Sequence, residues 1–107
     1  MKRIGEMIKV RPEKLEEYKY HHAHAWPEIN AMIKECNIQN YTIFHRGDYL
    51  FAYYEYVGND FEKDMAKMAA DPKTKEWWDV VKPCQQPLED RKEGEWWSSM
   101  EEVYRLD

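Results

Sequence analysis

YTIFHRGDYLFAYYEYV, residues 41–57, decides the fold. Aromatic and β-branched residues run through Tyr41–His45 and again through Tyr49–Val57, on either side of Arg46-Gly47-Asp48. Two such runs around a short turn carrying Gly and Asp read as a β-hairpin. On the N-terminal side, Ile4, Met7, Ile8 and Val10 form a β-compatible run over residues 3–10 that stops at Arg11-Pro12. Pro12 suits a first helical turn, Glu13, Glu16 and Glu17 favour a helix N-terminus, and Leu15, Tyr18, His22 and Ala25 share one stripe. Pro27 forces Trp26 out of α geometry yet fits the start of a further helical turn, so a kinked helix is expected to continue through Ile29, Met32 and Ile33 toward Cys36.

On the C-terminal side, Asn59 is a candidate cap, with Glu62 three residues on, for a helix carrying Phe61, Met65, Met68 and Ala69. Asp71-Pro72 repeats the cap-then-proline signal and opens a short helix with Trp77, Trp78 and Val81. Pro83 and Pro87 bound a polar loop, and Ser98–Leu106 supplies the expected last strand. The order is β-α-β-β-α-β, an α+β ferredoxin-like split unit: an antiparallel sheet with helices on one face, in a single domain over residues 1–107. The uncovered face is expected to meet a second copy, giving a homodimer with a cavity for ligand.

Composition narrows the function. Against 16 Lys and Arg stand 21 Asp and Glu, a net charge of -5, which argues against a phosphate-backbone binder and hence against nucleic acid. No stretch of about 18 apolar residues is present, so a soluble, cytoplasmic protein with no membrane span is expected. Cys36 and Cys84 are too few for a disulfide framework and lack metal-type spacing, so both read as ordinary thiols. The excess is in rings: five Trp, eight Tyr and three Phe in a strongly polar chain. Such side chains fill small cores, but they also line concave ligand sites and interfaces.

Tyr18 and His22 lie four residues apart on one helix face, where a phenol meets a group that titrates near neutrality. His22 is therefore the candidate proton carrier. Tyr18 and Tyr41 can hydrogen-bond a hydroxylated ligand, although either also suits a core. Trp77 and Trp78 diverge on their helix, so one ring can pack inward while the other lines a cleft for a sugar face. Trp96-Trp97 reads as interface or lid packing. His21, His22 and His24 do not share a face with a partnering carboxylate or cysteine, so no metal is expected. The charged runs Glu13–Lys19 and Glu89–Glu95 read as solvated faces.

Taken in order, Glu17-Tyr18, His22, Trp26-Pro27-Glu28, Asn40-Tyr41, Leu50-Phe51-Ala52, Trp77-Trp78 and the Glu102-Val103-Tyr104 ending resemble the L-rhamnose mutarotase family over nearly the whole chain. The resemblance implies a dimeric α+β barrel that interconverts the α and β anomers of a 6-deoxyhexose, with no metal or other cofactor. It implies His22 as proton donor and Tyr18, Tyr41, Trp77 and Trp78 as sugar-binding residues. His21, His24 and the abbreviated Arg46-Gly47-Asp48 turn depart from the pattern at the site entrance, so L-fucose competes with L-rhamnose as substrate. Two other readings of the same fold are a cofactor-free monooxygenase or haem-degrading protein, and a non-catalytic dimeric binding module. The first expects an asparagine on strand one, and Lys2–Val10 contains none.

Overall fold

The computed structural model describes residues 1–107. Its frame is an antiparallel sheet of β1 (Lys2–Val10), β2 (Ile38–Arg46), β3 (Tyr49–Tyr56), β4 (Gln85–Gln86) and β5 (Ser98–Met100). The order is β2-β3-β1-β4, and β5 lies along the same edge of β1 as β4, end to end with it. The hairpin forms as its residues predict. β2 and β3 pair from Ile38↔Tyr56 to Arg46↔Tyr49, and Gly47 closes the turn at φ 60°, a conformation that costs glycine little. The register slips between Gln39 and Thr42, where Asn40 takes φ 52° in a bulge.

The helical layer departs from expectation at two points. Instead of a kinked helix there are two, α1 (Leu15–Ala23) and α2 (Pro27–Glu35), preceded by a 3-10 turn at Pro12–Lys14. Pro27 starts α2 at its first position, where its missing N–H costs nothing, and Trp26 is extended at ψ 135°. Asn37, left-handed at φ 66°, ends the α2 segment. After the hairpin come α3 (Phe61–Ala70) and α4 (Pro72–Val81). The cap of α3 is Asp60 rather than Asn59: the Asp60 carboxylate accepts from the Lys63 N–H, while the Asp60 N–H donates to the Tyr56 hydroxyl and so fixes where the helix begins. Asp71 caps α4 as expected, accepting from both the N–H and the hydroxyl of Thr74, a cap contributing about 1 kcal/mol.

All four helices cover one sheet face. Ile4, Ile8 and Val10 of β1 alternate onto it, with Leu50, Ala52, Tyr54 and Tyr56 of β3. Eleven of the buried side chains form two clusters, with Ile33 of α2 packed against both. Ile8, Val10, Leu50 and Cys84 meet Tyr18, Ile29, Trp77 and Val81, whereas Ile38, Tyr54 and Tyr56 pack separately with Ile4, Phe61, Met65 and Met68. The opposite face carries Phe44, 64% exposed, beside Tyr49, Phe51 and Tyr53.

The C-terminal strand is shorter than its alternation predicts. Only Ser98–Met100 joins the β1 edge, and β4 falls inside the segment read as a loop between Pro83 and Pro87. Beyond Met100 the chain leaves the ladder, and Val103, Tyr104 and Leu106 remain 86, 79 and 81% exposed. No helix is long and apolar enough to cross a membrane.

Candidate active site

His22 is positioned by its own helix. Its Nδ1–H donates to the backbone carbonyl of Tyr18 at 2.9 Å, one turn back, which leaves Nε2 as the free nitrogen of the neutral ring. The imidazole packs on the Tyr18 ring, with centroids 4.1 Å apart, and meets Trp77 edge-on at 5.4 Å. Trp26, held extended by Pro27, completes the wall with its centroid 5.3 Å from that of Trp77. Burial among these rings disfavours the imidazolium and lowers the His22 pKa below its ordinary value. At neutral pH the site therefore offers an unprotonated Nε2, a base aimed away from its own helix.

Tyr18 is held at its other end by a short relay. The indole N–H of Trp96 donates to Gln85 Oε1 at 2.7 Å, and Gln85 Nε2 donates to the Tyr18 hydroxyl at 3.3 Å. Because an indole nitrogen can only donate, it fixes which way the buried Gln85 amide points. The Tyr18 oxygen thus accepts from Gln85, and its own O–H is left to donate elsewhere. Burial pushes this phenol up to about 12, so it stays protonated across the physiological range.

Tyr41 approaches from the sheet. It follows the Asn40 bulge and stacks on Tyr54 at 5.1 Å with planes 12° apart, an arrangement contributing about 0.5–1.5 kcal/mol beyond burial. The ring keeps 39% of its surface exposed, but its phenol end is turned inward, where burial raises its pKa well above the ordinary tyrosine value. Glu6, Tyr18 and Tyr54 all lie near enough for their charges to raise it further.

Of the five residues singled out from sequence, the structure brings His22 into direct contact with Tyr18 and Trp77, while Tyr41 stacks on Tyr54 near enough for the Tyr18 charge to reach it. Trp78 lies apart from them. It is half-buried and lines a separate hollow of about 300 Å³ with Arg11, Lys82, Gln85 and Trp96, where the Lys82 ammonium sits 4.7 Å above its ring. His21 faces Glu17 at 3.6 Å, and His24 turns outward to stack on Tyr20 at 4.3 Å.

Three participants escaped the sequence reading. Trp96 and Gln85 were not separable from ordinary packing, because nothing local links a C-terminal indole to Tyr18. Glu6 interrupts an otherwise apolar face of β1 between Ile4 and Ile8, and that break in the alternation was the available signal. Burial, and then the charge of Glu95, push its carboxyl up to about 7.

A family model described as L-rhamnose mutarotase matches residues 3–106. The chain belongs to the L-rhamnose mutarotase family. A UPF0734 protein of Dictyostelium discoideum is 40% identical over 101 residues, covering 89% of this chain and 80% of the relative. The L-rhamnose mutarotase of Oceanobacillus iheyensis is 32% identical over the full length of both chains. That of Bacillus subtilis is 34% identical over 78% of this chain and 79% of its own. Among solved structures, L-rhamnose mutarotase FA22100 from Formosa agariphila superposes with a TM-score of 0.77 at 22% identity, each chain fully covered. Tetracenomycin F2 cyclase from Streptomyces glaucescens gives 0.74 at 17% identity, covering 100% of this chain and 98% of the cyclase. Both share the dimeric α+β barrel type of fold with this member of the mutarotase family.

Proposed function

We propose that this chain is an aldose 1-epimerase that interconverts the α and β anomers of L-rhamnose, acting as a cytoplasmic homodimer on the free sugar. The observation that carries the reading is His22: its Nδ1 is committed to the Tyr18 carbonyl and its Nε2 is free within the Tyr18–Trp77 ring wall. Mutarotation opens a cyclic hemiacetal by moving one proton off the anomeric hydroxyl and one onto the ring oxygen, then recloses on the other carbonyl face. A neutral imidazole suits the first transfer. Tyr18, whose O–H is released by the Gln85 contact, and Tyr41 bind sugar hydroxyls. Trp77 and Trp78 are the indoles for the C–H faces, Trp77 directly against His22 and Trp78 from the neighbouring hollow.

A homodimer is supported by the uncovered sheet face, where Phe44 and its aromatic neighbours have no layer of this chain over them. The test of the activity is NMR saturation exchange between anomers, with L-rhamnose and L-fucose in parallel, for the wild type and His22→Ala. Acceleration by the wild type and a loss of about 100- to 10,000-fold in the variant are expected. If the folded wild type accelerates neither sugar, the reading is wrong; preference for L-fucose would replace the named substrate.

A further inference from the structure

Glu6 occupies the seam between the two apolar clusters. On the helix-covered face of β1, Ile4 packs into the cluster of Ile38, Tyr54 and Tyr56, and Ile8 into the cluster of Tyr18 and Trp77; Glu6 stands between them. Its neighbours across the sheet are small on both sides, Ala52 on β3 and Ser99 on β5. A half-buried carboxyl is thus set between small neighbours on an otherwise apolar face. No cation or hydrogen bond contributes to holding its charge, and burial with the Glu95 carboxylate pushes it up to about 7. The charge of Glu6 in turn reaches Tyr41 and Tyr54, and Tyr41 also feels Tyr18. Ile33 of α2 already packs against both clusters, and an apolar residue here would widen that contact, so an acid works against the fold, and such local conflicts concentrate at functional positions.

We propose that Glu6 is the second proton-transfer group of the site, the acid that protonates the sugar ring oxygen while His22 Nε2 accepts the proton of the anomeric hydroxyl. In the opening step the anomeric O–H bond breaks and its proton passes to Nε2. Its electron pair forms the C1 carbonyl, the bond from C1 to the ring oxygen breaks, and that oxygen takes the Glu6 proton. The products are the open-chain hydroxyaldehyde, an imidazolium and a carboxylate. After rotation about the bond to C1, the chain hydroxyl returns its proton to Glu6 as it attacks the other carbonyl face. The imidazolium then protonates the new anomeric oxygen, and both groups regain their starting states. The assignment fits the opposite tendencies of the pair: burial favours the neutral acid at Glu6 and the neutral base at His22.

The assignment rests on the mutarotase reading, and its test separates the two. Anomer exchange of L-rhamnose is followed by NMR from pH 5 to 9 for the wild type, Glu6→Gln and Glu6→Asp, with sugar affinity from tryptophan fluorescence and folding from circular dichroism. The groups facing Glu6 are Glu95 before β5, Tyr41 on β2 and Tyr54 on β3; of these only Glu95 carries charge in this range, and His22, stacked on Tyr18, is the other group of the site that titrates in or below it. The wild-type rate is expected to fall above about pH 7 as Glu6 ionises. Glu6→Gln should bind sugar within a few-fold of wild type, lose about 100-fold or more in exchange, and lack that alkaline fall. Glu6→Asp, which keeps the acid, should retain the fall at a reduced rate. A Glu6→Gln protein that exchanges at the wild-type rate, or keeps the same alkaline fall, overturns the assignment. A folded wild type that accelerates nothing overturns the mutarotase reading itself, and this assignment with it.

Discussion

Trp96→Phe removes one N–H from the relay behind Tyr18, and its cost follows from what remains. Gln85 is 4% exposed, and its Oε1 takes its hydrogen bond, 2.7 Å long, from that indole. Phenylalanine keeps a ring in place but leaves a buried carbonyl oxygen without a donor, a penalty of about 1–3 kcal/mol. At about 4 °C per kcal/mol for a domain of this size, Tm should fall by about 4–12 °C. Part of any fall would come from the smaller ring, so the informative quantity is a double-mutant cycle. Gln85→Leu alone strands the Trp96 N–H and the Tyr18 hydroxyl; in Trp96→Phe/Gln85→Leu the unmatched carbonyl and indole N–H have both gone. The two effects should therefore be less than additive, with a coupling of about 1 kcal/mol or more from urea unfolding. A coupling within about 0.5 kcal/mol of zero, the range of independent sites, would refute the claim that the indole fixes the Gln85 amide. The same change should reach the site: without the indole donor the amide can turn its oxygen to accept the Tyr18 O–H, taking that proton away from the sugar.

Glu6 makes a signed prediction for stability. Its folded pKa, about 7, lies above the ordinary carboxyl value of 4.5, so between these pH values the folded chain binds more protons than the unfolded one and stability falls as pH rises. That full difference corresponds to about 3 kcal/mol. Glu6→Gln should therefore be more stable than wild type at pH 8 by up to about 3 kcal/mol and differ little at pH 4; urea midpoints showing the same gap at both would contradict this. On the outer sheet face, Phe44→Asp should shift sedimentation toward the monomer without changing the far-UV spectrum, whereas an unchanged sedimentation coefficient would remove Phe44 from the proposed dimer contact.

How far the fold could be read ahead depended on how local each signal was. Gly47, Pro27, Asp71 and Pro72 act on their own backbone dihedrals or nearest N–H groups, and the elements they bound appear where they place them. Asn59 failed as a cap because its neighbour Asp60 is also tied to Tyr56, a contact from the preceding strand that no local pattern reveals. The alternation in Glu102-Val103-Tyr104-Arg105-Leu106 is strand-like, but a strand needs an unpaired edge alongside, and the chain leaves β1 after Met100. The site divides in the same way. Tyr18 and His22 were legible because helical spacing alone sets them together, and Trp77 because adjacent helical residues must diverge. The Gln85 and Trp96 contacts depend on the C-terminal segment closing against α1 from far along the sequence.

Glu6 shows why an incomplete core is informative in so small a protein. Only 16 of 107 residues are buried, and the apolar core among them is split between a cluster of eight and a cluster of three where one continuous layer would stabilise more. Replacing the acid between Ile4 and Ile8 with a branched apolar residue would satisfy the strand pattern, widen the contact between the clusters beyond Ile33 and remove a carboxyl that the fold disfavours above neutral pH. The residues around Glu6 are not an arbitrary remainder: its charge reaches Tyr41 and Tyr54, phenols held neutral by burial, and Tyr41 in turn is near enough to feel Tyr18, on which His22 stacks with one nitrogen free. A stability defect and a set of protonated donors meeting at one point is the pattern expected where binding and proton transfer, rather than packing, selected the residues. If Glu6→Gln proves both more stable at pH 8 and inactive, the two effects would share one origin, the cost of keeping a neutral acid where the sugar ring oxygen must lie.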